Sequence, residues 1–338
     1  MRVTIKDVAR EAGVSVATAS MALNNRSGIN ALTRDKVLQV ARALNYVPNQ
    51  SARMLVTQDS NCIGLLLPEI QNPFYSAIVD ILTRMAEERD YTLLLGITNN
   101  SARQEAEYVK MFLSWRVRGV IAVPMLCNHP DVSHLDLLRA ADIPIVFCTE
   151  RYAGCEEPVS MCDFAKGQYM ATRYLLDKGM TDFWFASTNM DTMFARLRHE
   201  GYVRALREAG IAVRRDRELM LEAPRFDYAY AAADRIIADL PEAVICINDI
   251  MTMAIVMRFS ECGIRVPEDV SAIGFDDIMF SRLLSPKLTT VRQPLEEICG
   301  KAMEIMEQKI NDAEHAQELG CGEMYLLEPE LIVRETTI

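Results

Sequence analysis

The chain has 338 residues, half hydrophobic and a quarter charged, enough for two or three compact units that each bury a core; no run approaches the ~18 apolar residues of a membrane span, and the charged N-terminus lacks a signal-peptide pattern. The net charge of -11 is unevenly spread: residues 1–60 hold eight Lys/Arg against four acids, a net of +4, leaving -15 on the rest, so that the head and not the body is suited to a polyanion, with chance clustering as the alternative. The nine cysteines are scattered and never spaced C-x-x-C, and the four histidines form no ligand-spaced cluster, which points to reduced thiols in a cytoplasmic protein without metal or cofactor.

Thr4-Ile5-Lys6-Asp7 fits a capping box, in which the Thr4 hydroxyl and the Asp7 carboxylate each accept from a free backbone N–H. Ile5, Val8, Ala9 and Ala12 then fall at i, i+3, i+4 and i+7, one apolar helical face, and Gly13 ends the helix. Ser15 is placed to cap a second helix over residues 16–23, with Ala19 and Leu23 inward and Val16, Ala17, Thr18, Ser20 and Met21 outward. Thr33 is the expected cap of a third, whose buried side carries Val37, Ala41 and Leu44. Two short helices joined by a turn containing Gly match a helix-turn-helix, in which the second helix enters the major groove and the first crosses the backbone. A generic three-helix bundle is the alternative; the small residues Ala17, Ala19 and Ala22 favour close approach to DNA. After Pro48, residues 50–56 are too few to hold a helix alone in water.

From Asn61 onward, strand candidates at 62–68, 92–97, 119–124, 144–148, 182–186, 243–247 and 271–275 alternate with helix candidates at 74–89, 103–114, 165–178, 196–209, 228–239, 249–262 and 295–310. Fully apolar runs such as Ile63-Gly64-Leu65-Leu66-Leu67 suit strands covered on both faces, hence parallel sheets. The pattern occurs in two sets, before and after about residue 160, which predicts two doubly wound subdomains with a cleft between them. Ligands of such sheets sit beyond the C-terminal ends of the strands, where Asn72, Phe74, Asn248, Asp249 and Asp276 fall. A guanidinium at Arg198 and carboxylates at Asp249 and Asp276 can bind sugar hydroxyls in pairs, and Phe74 or Tyr75 can stack on a ring. The alternatives are structural: Asp276 capping a turn, Phe74 in the core, Arg198 paired with Glu200.

The runs Thr4-Ile5-Lys6-Asp7-Val8-Ala9, Ala12-Gly13-Val14-Ser15, Ala17-Thr18-Ala19-Ser20 and Leu23-Asn24 closely resemble the signature of the lactose-repressor (LacI/GalR) regulators. The likeness continues through Leu44-Asn45-Tyr46-Val47-Pro48-Asn49 to Ala52-Arg53-Met54-Leu55. The resemblance implies DNA contacts from Thr4, Ser15, Val16, Ala17, Thr18, Ser20, Met21, Asn24, Asn49, Ala52, Arg53 and Leu55, with a hinge helix that folds on the operator and wedges Leu55 into the minor groove. Met21 departs from the pattern, standing where many members carry a base-reading Arg; it cannot make the bidentate contact to guanine.

The body resembles the periplasmic sugar-binding-protein fold that these regulators use as a sensor. Val266-Pro267-Glu268-Asp269-Val270-Ser271, Ile273-Gly274-Phe275-Asp276-Asp277 and Leu288-Thr289-Thr290-Val291 are its most diagnostic phrases. The implied fold class is an all-α helix-turn-helix head on an α/β periplasmic-binding-protein-like body of two doubly wound parallel-sheet subdomains. The expected divisions are a DNA-binding domain at 1–47, a hinge at 48–60, an N-subdomain at 61–160 plus 291–321 and a C-subdomain at 161–290 plus 322–338, with crossings near Ser160, Thr290 and Gly322. Family analogy puts ligand contacts at Arg198 and Asp276, then at Asn72, Phe74, Asp249 and Phe226. Glu150-Arg151 and residues 225–230 depart from the pattern in loops expected to face the cleft, so no relative's ligand carries over directly.

These readings describe a cytoplasmic regulator, a repressor by resemblance, that binds palindromic operator DNA as a homodimer without leucine heptads at its end, and is controlled by a small-molecule effector. A sugar is the default effector, with a purine as the minority alternative. A cytoplasmic small-molecule-binding protein without DNA function is the rival reading. An enzyme is disfavoured by the lack of G-x-G-x-x-G after a strand, G-x-x-x-x-G-K-[ST], G-x-S-x-G or a metal cluster.

Overall fold

The computed structural model describes residues 3–23, 28–46, 60–126, 131–188, 192–312 and 320–338. The chain divides into two units, Met1–Ser60 and Asn61–Ile338.

In the first unit three helices, α1 (Ile5–Ala12), α2 (Val16–Leu23) and α3 (Ala31–Ala43), pack on a core of Val8, Ala9, Ala12, Ala19, Ala22, Val37 and Ala41. The Asp7 carboxylate accepts from both the Thr4 backbone N–H at 3.0 Å and the Thr4 hydroxyl at 2.7 Å, fixing the start of α1. Gly13 ends the helix with φ at 67°, a conformation that favours glycine. Ser15 caps α2 by accepting from Thr18 N–H at 3.0 Å. The third cap is Asn30 rather than Thr33: the Asn30 side chain accepts from the Thr33 N–H at 2.7 Å, so Thr33 lies inside the first turn. Ala22 is buried beside Ala19, whereas Leu23 is half-buried against the core.

The second unit contains two sheets. The first has the order β11-β5-β4-β3-β1-β2 and is built from β1 (Cys62–Leu67), β2 (Thr92–Ile97), β3 (Gly119–Ala122), β4 (Ile145–Cys148), β5 (Val159–Cys162) and β11 (Met324–Leu327), all pairing parallel. The second, β12-β10-β9-β8-β6-β7, comprises β6 (Phe183–Thr188), β7 (Glu218–Leu221), β8 (Ala243–Cys246), β9 (Ser271–Asp276), β10 (Thr289–Arg292) and β12 (Glu330–Ile332). Among the described residues only the β10–β12 pair is antiparallel. The connecting helices are α4 (Pro73–Glu87), α5 (Ala102–Ser114), α6 (Asp136–Ala140), α7 (Phe164–Asp177), α8 (Met193–Glu208), α9 (Phe226–Ile237), α10 (Asp249–Glu261) and α11 (Leu295–Asn311). Apart from half-buried Cys62 at the start of β1, the central strands are buried from end to end, as parallel strands covered on both faces must be.

The chain passes from the first sheet to the second after β5 and returns after β10 into α11, which packs on the first sheet. Its last passage follows Leu327 rather than Gly322, because residues 324–327 still pair with β5 before β12 joins the second sheet. Each passage spans only a few residues, so both sheets are held together beside one cleft. No helix among the described residues is long and apolar enough to cross a membrane.

Candidate ligand cleft and DNA-reading face

The cleft opens beyond the C-terminal ends of the strands of both sheets, where open parallel sheets leave room for ligands. Its walls include Asn72, Phe74, Tyr75, Thr149 and Glu150 from the first lobe, Phe164, Phe194, Arg198, Asn248 and Asp276 from the second, and Gln293 from the second passage between them; about 530 Å³ of empty space lies among them and runs out into open solvent. Asn72 caps α4, its side-chain oxygen accepting from the Phe74 N–H at 3.0 Å, with Pro73 in the first turn. This cap brings Phe74 to the cavity wall, buried and edge-on to Tyr75 with ring centroids 5.3 Å apart.

Arg198 is the centre of the polar wall. It is 4% exposed and is carried inward by α8. Its guanidinium lies 4.0 Å from the Phe275 ring centroid and 4.5 Å from that of Phe164, and donates to Asp276 Oδ1 at 3.2 Å. The same oxygen accepts from the Gln293 side-chain amide at 2.7 Å. Burial raises Asp276 to about 6, opposed by the neighbouring Arg198 charge. Two buried atoms of this cluster, Arg198 Nε and Gln293 Oε1, have no protein hydrogen-bond partner. A buried polar group without a partner costs about 1–3 kcal/mol, so the wall is suited to a ligand that supplies both an acceptor and a donor.

Backbone strain marks the same place. Asp276 at the end of β9 has φ at 115°, and Thr149, the first residue after β4, has φ at 71°. Positive φ is costly for both residue types and for β-branched Thr above all, and such strain clusters at ligand sites. Asp277 holds the strained turn by pairing with Arg334 at 2.6 Å and Arg292 at 2.8 Å. Glu150, one residue beyond Thr149, reaches across to α8, where its carboxylate accepts from the Phe194 N–H at 3.1 Å. Burial pushes Glu150 up to about 7.

Of the sequence-derived ligand residues, Asn72, Phe74, Arg198 and Asp276 line the cavity together. Arg198 pairs with Asp276 and not with Glu200, which lies near Arg196. Asp249 and Phe226 are corrections. Asp249 is fully buried below the cleft, accepting from Ser281 Oγ at 2.6 Å, Thr290 Oγ1 at 2.5 Å and Ile278 N–H at 3.0 Å, which leaves it pinning the turn after β9 to β10. Burial, then the charge of Asp276, raises it to about 8. Phe226 starts α9 and stacks on Tyr230 one turn on, 40% exposed and outside the cavity lining. Gln293 and Glu150 went unassigned as ligand residues; each follows a strand end that the sequence does reveal. Among the described residues no cluster of His, Cys, Asp and Glu could hold a metal ion.

On the head, Thr4, Ser15, Val16 and Ala17 are exposed, while Thr18, Ser20 and Met21 are half-buried. Met21 turns its methyl toward the bend before α3, 3.4 Å from where a Cβ on Gly28 would lie. Asn24, Asn49, Ala52, Arg53 and Leu55 lie outside the described residues.

A helix-turn-helix head and a two-lobed body with a polar, partly aromatic cleft define a DNA-binding regulator with a periplasmic-binding-protein-like sensor. Residues 4–49 match the bacterial regulatory proteins of the lacI family, and residues 172–337 match the periplasmic binding protein-like domain. The HTH-type transcriptional repressor PurR of Vibrio vulnificus is 34% identical over 337 residues, covering 98% of each chain. The lac repressor dimer bound to operator and the anti-inducer ONPF has the same fold, with a TM-score of 0.86 at 24% identity and complete coverage of both chains. A complex of the transcriptional regulator CelR with cellobiose superposes with a TM-score of 0.72 at 26% identity, covering 99% of this chain and 100% of the other. The chain belongs to the LacI family of DNA-binding transcription regulators, which removes the reading of a binding protein without DNA function.

Proposed function

We propose that this protein is a repressor that binds a palindromic operator as a homodimer, and that a neutral, hydroxylated small molecule held between the lobes sets its operator affinity. A sugar or sugar derivative fits the cleft best. The observation that carries this reading is the pairing of a buried, unpartnered donor at Arg198 Nε with a buried, unpartnered acceptor at Gln293 Oε1 beside the Asp276 carboxylate. A hydroxyl accepts and donates at once, so vicinal sugar hydroxyls satisfy this wall while Phe74 covers a ring face. The cellobiose complex of a relative supports the same choice. A purine is the second reading, favoured by the aromatic walls at Phe74, Phe164 and Phe194 and by the identity to regulators named PurR.

Calorimetry with a panel of monosaccharides, disaccharides, purine bases and nucleosides tests the assignment. A compound that binds wild type should lose affinity by about one to two orders of magnitude in Arg198→Ala and Asp276→Ala, since charge-assisted hydrogen bonds contribute roughly 1.5–3 kcal/mol each. Unchanged affinity in both folded variants would overturn it.

A further inference from the structure

We propose that Glu150 makes the cleft selective for an uncharged effector, by occupying from the first lobe the place on the second lobe where a ligand's phosphate or carboxylate would otherwise bind. The inference rests on reading the cleft as the effector site.

The second lobe presents an anion-binding locus. Helix α8 begins at Met193, and the first-turn N–H groups of a helix point outward with partial positive charge, an arrangement that binds phosphates. The first turn of α8 holds no acidic side chain, and Arg196 and Arg198 follow within the next turn. Independently, Arg198 lines the cavity at 4% exposure with its Nε–H unpartnered. A helix start and a buried guanidinium with a spare donor together favour an anion.

That anion is already present, and it belongs to the opposite lobe. The Glu150 carboxylate accepts from the Phe194 N–H at 3.1 Å in the first turn of α8, and both Arg198 and Arg196 attract it. Thr149, held at φ 71° and itself lining the cavity, aims the side chain across the cleft. Glu150 is 9% exposed, so water screens its charge poorly. A phosphorylated ligand would meet two carboxylates, Glu150 and Asp276, against the single buried guanidinium, and would find the α8 N-terminus taken. What remains unsatisfied, one N–H donor and one carbonyl acceptor, matches a neutral hydroxyl or amide edge. The cleft therefore takes the unphosphorylated form of its effector.

Sulfate is a suitable probe because it stays dianionic and needs no knowledge of the effector. Calorimetry on the full chain at pH 8 and constant ionic strength, above the value of about 7 to which burial raises Glu150, should show no saturable sulfate binding to wild type. Glu150→Ser and Glu150→Ala remove the resident carboxylate, and each should gain saturable sulfate binding, weakened at least tenfold when Arg198→Ala is added. Either variant, folded by its cooperative melt, that takes up no sulfate would overturn the proposal, as would wild type binding sulfate equally well. The effector panel fails separately: Arg198→Ala and Asp276→Ala without effect on effector affinity would reject the effector site and leave the sulfate result standing.

Discussion

Asp276 and Glu150 are carboxylates held in dry surroundings, and burial raises both, to about 6 and about 7. In the unfolded chain they return to the ordinary carboxylate range, so between that range and these values the folded state binds more protons than the unfolded one. Their contribution to stability is therefore fully present at acid pH and lost as pH rises through about 6 to 7. For Glu150 the difference amounts to about 3 kcal/mol at most. Glu150→Gln keeps the size and the acceptor and removes the titration, so its melting temperature should fall less between pH 5 and pH 8 than that of wild type; parallel profiles would show that Glu150 does not titrate in this window. The residues differ in how readable they were. Arg198, Asp276, Asn72 and Phe74 sit at strand ends or helix starts, and periodicity with family likeness brings them to one cavity. Asp249 occupies the same kind of position, yet turns to Ser281, Thr290 and Ile278, a choice decided by tertiary partners that no local pattern encodes. Gln293 and Glu150 lie in short connections, where no hydrophobic repeat reveals which way a polar side chain points.

The element most exposed to test is α8, because it positions Arg198 and packs directly on α7. A Cβ added at Gly201 would stand 2.1 Å from the Ala165 carbonyl oxygen and 2.9 Å from the Tyr169 nitrogen, both α7 backbone atoms that cannot swing aside. Gly201→Ala should push the two helices apart at a cost of about 2–3 kcal/mol, read as a lowered urea midpoint with unchanged slope. An unchanged midpoint would mean that the helices are not packed this closely. The central strands and long helices were legible because burial on both faces or a helical apolar face writes itself into hydrophobic spacing. Strands β5, β7, β10, β11 and β12 were not among the strand candidates: they have three or four residues each, and all but β11 mix Ser, Thr, Glu or Arg with apolar positions, so their pairing is imposed by neighbouring strands. The third helix cap shows the same limit on a smaller scale, since Asn30 and Thr33 are both good capping residues and only the observed bond to the Thr33 N–H selects Asn30.

Across the body, the three passages of chain between the sheets make one cleft out of two doubly wound lobes, with Gln293 on one passage and Glu150 reaching over from the other wall. A ligand can shift such a protein between arrangements only by binding them unequally, and residues from both lobes around one molecule supply that inequality on closure. The basic head is suited to phosphates and the acidic body is not. The most direct measurement is a titration of an operator, selected from randomised palindromes, with wild type and Arg198→Ala, each with and without the compound that the panel identifies. Both proteins should bind the operator alike in the absence of the compound, and the compound should change wild-type operator affinity at least tenfold while leaving that of Arg198→Ala unchanged. A variant that still responds fully, or that loses the operator without any compound present, would contradict control of DNA binding through this cleft.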